Sequence, residues 1–378
     1  MKILLIGEYS NVHWTLAEGL RKLGHRITVL SNGDFWKNYS RDINLTRHKG
    51  KLGGIFYLLR LFFLLPQLRH YDVVQLINPM FLEIKAQHIF PIYKYLRRYN
   101  TKIFLGAFGM DYYWVSECHN NQPLRYSDFN IGDQKRNNPE ALKEIADWIG
   151  TSKEFLNKFI AKDCNGIIAG LYEYHVCYQP NFPSKTVFIP YPIKCLPISE
   201  AFTPPQKVKI FIGINKTRNA YKGTDIMLSA AHRIIDRYPD KAELLIAESV
   251  PFAQYNQLMN HSHLILDQLY SYTPSMNALL AMSKGIVCVG GGEPENYQII
   301  DETHLRPIIN VLPTENDVYQ ALENIVLHPE NLPLLQAQSV EYVRKHHEYI
   351  YVARQYLEFW EKGTIKPYSI PSPMGMLE

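Results

Sequence analysis

Short apolar runs alternate with amphipathic segments along most of this 378-residue chain. In the first half the runs predict strands, and the amphipathic segments, whose apolar residues recur every three or four positions, predict helices. The predicted strands are residues 2–7, 26–31, 72–77, 102–106, 166–169 and 186–189, and the predicted helices are 12–23 (ending at Gly24), 84–99 and 152–161. This alternation indicates a parallel sheet with helices on both faces.

The proline-rich segment 190–205 (PYPIKCLPISEAFTPP) interrupts this pattern, because it cannot sustain a helix or a central strand. We interpret it as a linker, after which the alternation restarts. The strands predicted beyond it are 207–212, 242–247, 264–267 and 286–289, and the helices are 224–238, 252–262, 275–284, 316–326, 331–345 and 349–362.

The fold class predicted is therefore α/β, with two Rossmann-like doubly wound domains facing a cleft. Residues 1–195 form the predicted first domain and residues 206–348 the second. The last predicted helix, 349–362, either closes the second domain or crosses back to the first.

The longest apolar segment, residues 52–68, has two interpretations. It holds Arg60, Pro66 and Gln67 and is too short and interrupted to span a bilayer comfortably, which favours a crossover helix packed on the sheet. The alternative is a membrane-surface helix, because Arg41, Arg47, Lys49 and Lys51 lie nearby. If the alternative holds, the protein would make a peripheral contact with the inner membrane surface.

Composition narrows the function classes. A net charge of +4 gives no reason to expect a nucleic-acid binder. The five cysteines are scattered without C-x-x-C pairing, which argues against a disulfide framework or a zinc site and favours a reducing compartment. Because MKILLIGEYS enters a strand pattern directly, without a signal peptide, we expect a cytoplasmic protein.

Candidate chemistry gathers where strands of the second half end. Lys216, Arg218 and Lys222 precede the helix predicted at 224, and cations at a helix N-terminus suit a diphosphate. A solvated basic loop explains the same charges. Residues 267–297 add a second strand-end loop with candidate ligand contacts: Tyr272, Thr273, Ser275, Asn277, Gly291, Gly292, Glu293 and Glu295. Loops of this kind converge on one crevice in a doubly wound sheet.

These residues resemble the large retaining family of GT-B glycosyltransferases that use nucleotide-sugar donors. Arg218 and Lys222-Gly223 match its Arg-x-x-x-Lys-Gly signature, and the resemblance implies that they hold the donor pyrophosphate. The family's Ala-Met-Ala-x-Gly-x-x-Val-Val and Gly-Gly-x-x-Glu motifs resemble the run from Ala281 to Val287 and the run from Gly291 to Glu295. In the first half the resemblance rests on weaker features, GEYSNVHWTLAEGLRKLGHRITVLS and AFGMDYYW.

Two positions depart from the family. Its Glu-x7-Glu carboxylates, which touch the donor sugar and the ribose, fall on Tyr272 and Leu280. Leu280 cannot accept a hydrogen bond from a ribose hydroxyl, and the substitutes we consider are Glu293, Glu295 or a backbone carbonyl.

On the first-domain side, Asp111 follows a strand and is the candidate for orienting the acceptor or the sugar, with a turn or cap as its alternative. His13 is placed similarly in the first strand–helix turn, with a helix-start histidine that makes only local bonds as its alternative, and Glu248 follows the strand 242–247. No Asp-x-Asp pair sits at a strand-end loop and no histidines have ligand spacing, so neither a metal nor a cofactor is expected.

The sequence thus favours a metal-independent retaining hexosyltransferase, in which Arg218 and Lys222 stabilise the leaving diphosphate of a UDP- or GDP-linked donor. The acceptor expected is a glycan or lipid-linked molecule in surface polysaccharide or glycoconjugate synthesis. Two alternatives stay open: a GT-B sugar-nucleotide epimerase, and a non-catalytic binder of sugar nucleotides.

Overall fold

The structure is a computed structural model that describes residues 1–197, 201–214, 222–248, 250 and 252–363; the side chains of Trp36, Phe252 and Ala253 are not described. It contains two parallel sheets, one of seven strands and one of five. The predicted α/β class and the two Rossmann-like domains are confirmed.

The first sheet takes its strands from residues 2–188. They are β1 (Lys2–Ile6), β2 (Arg26–Ser31), β3 (Ile43–Asn44), β4 (Val73–Leu76), β5 (Lys102–Ala107), β8 (Gly166–Ala169) and β9 (Thr186–Phe188), and the order is β3-β2-β1-β4-β5-β8-β9. A separate two-stranded hairpin joins β6 (Asn130–Ile131) to β7 (Gln134–Lys135). In register, Leu5 pairs with Val29 on one side of β1 and with Gln75 on the other.

The second sheet takes its strands from residues 208–310. They are β10 (Val208–Ile214), β11 (Ala242–Glu248), β12 (Leu264–Leu266), β13 (Val287–Gly290) and β14 (Ile309–Asn310), in the order β11-β10-β12-β13-β14. Strand order reverses direction beside β1 in the first sheet and beside β10 in the second. Such switch points open the crevices in which doubly wound sheets bind ligands.

Fourteen α-helices cover the sheets within the described residues. They are α1 (Val12–Lys22), α2 (Gly50–Leu64), α3 (Ala86–Tyr99), α4 (Tyr112–Asn120), α5 (Pro139–Trp148), α6 (Ser152–Asp163), α7 (Tyr172–Tyr178), α8 (Thr224–Arg237), α9 (Phe252–Asn260), α10 (Met276–Met282), α11 (Pro294–Ile299), α12 (Glu315–Leu327), α13 (Leu332–His346) and α14 (Tyr349–Lys362). The pattern did not predict α4, α5, α7 or α11.

The last of these helices, α14, packs against α1 of the first domain. Its Trp360 is buried, and the indole Nε1 donates to Oε1 of Gln75 on β4 at 3.3 Å. The backbone N–H of Ile193 donates to the carbonyl of His347 at 2.6 Å, and the backbone N–H of Tyr349 donates to the carbonyl of Ile193 at 3.0 Å. The linker therefore runs beside the junction of α13 and α14, and α14 completes the wall of the first sheet.

The apolar segment 52–68 does form a helix, but the expectation that it packs on the sheet is wrong for most of its length. Within α2 only Gly53, Tyr57 and Leu61 are buried. These positions recur every four residues and mark one narrow stripe, since residues four apart share a helix face. The rest of the apolar surface faces outward.

Candidate functional site

The C-terminal edges of the two sheets meet at Glu173, which lies in the first turn of α7 just beyond β8. One carboxylate oxygen accepts the backbone N–H groups of Tyr272 and Thr273 at 2.6 and 3.0 Å, and the Ser271 hydroxyl at 2.8 Å. The other oxygen accepts the Thr273 hydroxyl at 2.5 Å. A buried first-domain carboxylate therefore anchors the loop that follows β12 of the second domain.

Tyr272, which the sequence resemblance matches to the first motif glutamate, is buried between the domains at 1% exposure. Its ring lies 5.0 Å from that of Tyr126 and 5.8 Å from that of Tyr172. Its hydroxyl accepts the backbone N–H of Arg125 at 2.7 Å, and burial raises its pKa to about 12. The side chain thus fills the domain interface, where a carboxylate would have been desolvated.

A second set of interdomain contacts, which we call the arginine clamp, joins Arg125 to Glu293 and Glu295. Arg125 donates to Oε2 of Glu293 at 2.6 Å and to Oε1 of Glu295 at 2.5 Å. Glu293 also accepts hydrogen bonds from Tyr126 and, at 3.0 Å, from Asn310. Burial acts to raise the pKa of Glu295, but the hydrogen bond from Arg125, a backbone hydrogen bond and the charge of Arg125 together lower that pKa. Both glutamates are therefore engaged by protein groups in this closed arrangement.

The glycine run 290–292 packs tightly against the protein itself. A Cβ on Gly291 would lie 2.3 Å from the carbonyl oxygen of Ser271, and one on Gly292 would lie 2.7 Å from Ile308. The Gly292 N–H donates to Oδ1 of Asn310 at 3.0 Å and the Glu293 N–H to the carbonyl of Tyr272 at 3.2 Å. Close approach to the 271–273 backbone is a sufficient reason for glycine at position 291, and contact with the Ile308 side chain is a sufficient reason for glycine at position 292.

The start of α8 carries the described part of the predicted diphosphate site. Gly223 is its N-cap, has φ of +72°, and makes no side-chain cap hydrogen bond. A Cβ there would lie 2.6 Å from Cβ of Leu269, and the Leu269 N–H donates to the carbonyl of Lys222 at 3.0 Å. The helix therefore begins beside the end of β12. Lys216 and Arg218 lie outside the described residues.

Asp267, the residue after β12, faces the same region. It accepts the Ser275 backbone N–H at 3.0 Å and the Ser275 hydroxyl at 2.6 Å, which fixes Ser275 as the N-cap of α10. Burial raises the pKa of Asp267, while hydrogen bonds from Ser275 and the charge of Lys222 act to lower it. Lys222 and Asp267 are therefore close enough to interact across adjacent strand ends.

A line of polar groups crosses from one domain to the other near these residues. Tyr255 on α9 interacts electrostatically with Asp267, and its ring covers Gly213 on β10. Tyr39 of the first domain interacts with Tyr255 and also with Asp34 and Glu8. Burial raises the pKa of both tyrosines, so they stay protonated hydrogen-bond donors.

Glu8 lies in the turn after β1 and His13 in the first turn of α1, at the first-domain switch point. The Glu8 carboxylate accepts the N–H groups of His13 and Trp14 at 3.1 and 2.8 Å, and burial raises its pKa to about 8. His13 is fully buried with Nδ1 2.8 Å from the Gly7 carbonyl, and burial lowers its pKa to about 3. Among the described residues nothing partners its Nε2. The imidazole is thus a neutral interior group that donates to Gly7.

The expectation that Asp111 faces the cleft is wrong, because its side chain is fully buried. It is the N-cap of α4 and accepts the Trp114 N–H at 2.9 Å. Its other oxygen accepts the Tyr178 hydroxyl at 2.8 Å. Burial raises the pKa of Asp111 to about 7. The cap, which was the alternative interpretation of this residue, is its observed role.

The remaining candidates lie on β11 and α10 of the second domain. Glu248 is the last residue of β11, is exposed, and pairs in register with Ile214. Asn277 and Leu280 are half-buried on α10, and Leu280 packs against the hydrophobic core. Within the described stretches, no group of three His, Cys, Asp or Glu side chains is placed to hold a metal ion.

Sequence reasoning missed Arg125, Glu173, Glu8 and Asp267. Glu8, Asp267 and Glu173 lie within a few residues of predicted strand ends, so their position beyond a strand was a usable signal. Arg125 lies in the irregular segment 116–138, and its partner Glu293 is 168 positions away. Nothing local in the sequence identifies that pairing.

No family model matches the chain, and no curated protein matches it in sequence. Among solved structures it resembles sucrose-phosphate synthase from Thermosynechococcus elongatus at TM-score 0.60 and 12% identity, over 96% of this chain and 99% of that one. It resembles Anabaena HepE in complex with UDP-glucose at TM-score 0.60 and 11% identity, over 96% and 99%. A Listeria monocytogenes protein assigned as a UDP-N-acetylglucosamine 2-epimerase gives TM-score 0.55 and 9% identity, over 98% and 99%. The likeness runs across both domains, and the chain has the GT-B fold.

Proposed function

We propose that this protein is a retaining glycosyltransferase that transfers a hexose from a UDP- or GDP-linked sugar to a glycan or lipid-linked acceptor, without a metal ion. The observation that carries the proposal is the convergence of Lys222, the N-terminus of α8 and the Asp267–Ser275 pair at the switch point of the second sheet. A cation and a helix N-terminus at that edge suit a diphosphate.

The GT-B neighbours support the same choice of donor. HepE has been crystallised with UDP-glucose and with UDP and glucose, and the Staphylococcus aureus protein MnaA with UDP. By analogy we place the nucleotide sugar of this chain in the crevice above β10 and β12. Arg218, Gly223, Glu248, Thr273 and Asn277 remain proposed donor contacts around it.

In the proposed reaction, an acceptor hydroxyl attacks the anomeric carbon from the face that the diphosphate leaves. The bond between the anomeric carbon and the diphosphate oxygen breaks, and the hydroxyl proton passes to that phosphate oxygen. Lys222 and the N–H groups of α8 stabilise the negative charge that develops on the leaving group. The acceptor enters beside Glu8 and Tyr39, which lie opposite on the first domain.

The epimerase remains the second candidate because of the Listeria neighbour. Such chemistry needs an acid and a base on either side of one sugar carbon. Glu8 and Asp267, with pKa values raised by burial, are carboxyl groups on opposite walls of the cleft.

Calorimetry with UDP, GDP and their hexose derivatives, followed by mass spectrometry and NMR of the products, tests the proposal. We expect binding of one nucleotide sugar and transfer of its hexose with the anomeric configuration kept. Interconversion of the donor sugar would instead identify an epimerase. Tight binding with neither reaction would identify a non-catalytic binder.

A further inference from the structure

An exposed apolar face covers the outer side of α2. Large hydrophobic side chains that make up this face have between 42% and 72% of their surface exposed: Leu52, Ile55, Phe56, Leu58, Leu59, Phe62 and Phe63. They fall within twelve consecutive residues, whereas apolar residues scattered singly are normal on a protein surface. A contiguous patch of this kind marks a surface that contacts another apolar phase.

The opposite stripe of the helix holds it against the first domain. Tyr57 and Leu61 belong to the hydrophobic core, and so does Leu68 in the short 3-10 turn that follows. The Tyr57 hydroxyl accepts the backbone N–H of Glu83 at 3.2 Å. Because these contacts lie along one side of the helix, α2 lies on the domain with its apolar face outward.

The charged residues of the segment that carries this face have one sign. Residues 43–71 contain no Asp or Glu, and the exposed basic side chains among them include Arg47, Lys49, Lys51 and Arg60. Glu83, packed beside the helix, accepts the backbone N–H of Arg47 at 3.1 Å. Basic residues bordering an exposed apolar helix face match the headgroups and acyl boundary of an anionic bilayer.

Two other occupants fit these observations less well. The segment Gly50–Leu68 is long and apolar enough to cross a membrane by length and composition alone, but its buried stripe ties it along the domain. A second copy of the chain would bring two segments that carry only positive charge into one interface, where like charges repel.

We propose that α2 docks the protein onto an anionic membrane surface, with Phe62 and Phe63 inserted at the acyl boundary and the flanking basic residues on the headgroups. Docking is independent of the glycosyltransferase activity proposed above, so it is measured without donor or acceptor. It would bring a lipid-linked acceptor to the first-domain side of the cleft.

Co-sedimentation with vesicles of phosphatidylcholine alone and with 30% phosphatidylglycerol (a conventional anionic fraction, roughly matched to the basic surface) tests the proposal. The Phe62→Asp/Phe63→Asp variant is compared with Leu142→Asp/Leu334→Asp, which adds the same charge at exposed leucines on α5 and α13. We expect the wild type and the control to pellet with anionic vesicles, and the α2 variant to bind at least tenfold more weakly. Circular dichroism melts verify that both variants fold.

A third variant, Lys49→Gln/Lys51→Gln, separates the electrostatic contribution to vesicle binding from the contribution of the apolar side chains. We expect it to reduce binding to the anionic vesicles. The proposal is overturned if the wild type stays in the supernatant with both vesicle types. Equal pelleting of the wild type and the α2 variant overturns it as well. If analytical ultracentrifugation shows a dimer that the α2 variant abolishes, with no vesicle binding, the face is an interface between copies instead.

Discussion

The carboxylate of Glu173 accepts the backbone N–H of Tyr272 at 2.6 Å, joining the C-terminal edge of one sheet to that of the other. The same carboxylate accepts hydrogen bonds from Ser271 and Thr273, so one buried side chain serves as acceptor for the whole turn. A closed interface of this kind fixes the distance between the two walls of the cleft.

Replacing Glu173 by Ala should lower the free energy of unfolding by about 3 kcal/mol, because it leaves several buried donors without an acceptor. Urea denaturation measures this change, and small-angle scattering should show a larger radius of gyration as the domains separate. The control is Glu341→Ala, an exposed glutamate on α13 that should change neither quantity. Unaltered stability in Glu173→Ala would mean that water satisfies the 271–273 turn.

Replacing Asp111 by Asn should change how stability depends on pH. Burial raises the pKa of folded Asp111 to about 7 from an ordinary value of 3.8, so the folded state binds this proton more tightly. The resulting stability is fully present below about pH 4 and is lost as the pH rises through about 7. Asn keeps the helix cap and has no proton to lose.

We therefore expect Asp111→Asn to gain stability relative to the wild type between pH 4 and pH 8, by on the order of 2–4 kcal/mol. Urea midpoints for both proteins across that range measure the difference. Glu8 titrates in both proteins and cancels in the comparison. Parallel curves would show that Asp111 titrates near its ordinary pKa in the folded protein.

Replacing Lys222 by Ala should raise the donor KM and lower kcat, losing about 2–4 kcal/mol of transition-state stabilisation. The same loss is expected for Arg218→Ala. Lys207→Ala is the matched control, because this exposed lysine lies just before the N-terminal end of β10, away from the crevice. Steady-state kinetics with the donor found by calorimetry give both constants, and kinetics equal to those of Lys207→Ala would remove Lys222 from the site.

Replacing Leu280 by Glu introduces a carboxylate at the position that the sequence resemblance matches to the second motif glutamate. We expect nucleotide affinity to rise about tenfold, since a hydrogen bond to a charged group is worth about 1.5–3 kcal/mol. Calorimetry measures the affinity, and Leu280→Met controls for the change in packing. Reduced stability without a gain in affinity would show that Leu280 serves the core it packs against.

Local pattern was sufficient to predict the framework of both domains. The strand Arg26–Ser31 and the helix Tyr349–Lys362 have the predicted bounds, because a buried strand and an amphipathic helix are determined by their own residues. The pattern could not reveal which side of α2 is buried against the protein, since an apolar helix has the same sequence pattern whether its apolar side chains pack on a sheet or contact another apolar phase. The arginine clamp could not be predicted for another reason, which is that Arg125 and Glu293 are 168 positions apart and meet only where the two domains pack together.

The packing of α14 on α1 has a consequence for biosynthesis. Domains usually fold one after another as the chain leaves the ribosome. Here Trp360 on α14 bonds to Gln75 on β4, 285 positions earlier. The first sheet can form early, but its outer wall is not made until the second domain has been translated. The domain that begins folding first is thus finished last, and it exposes an apolar face to chaperones throughout synthesis of residues 206–348.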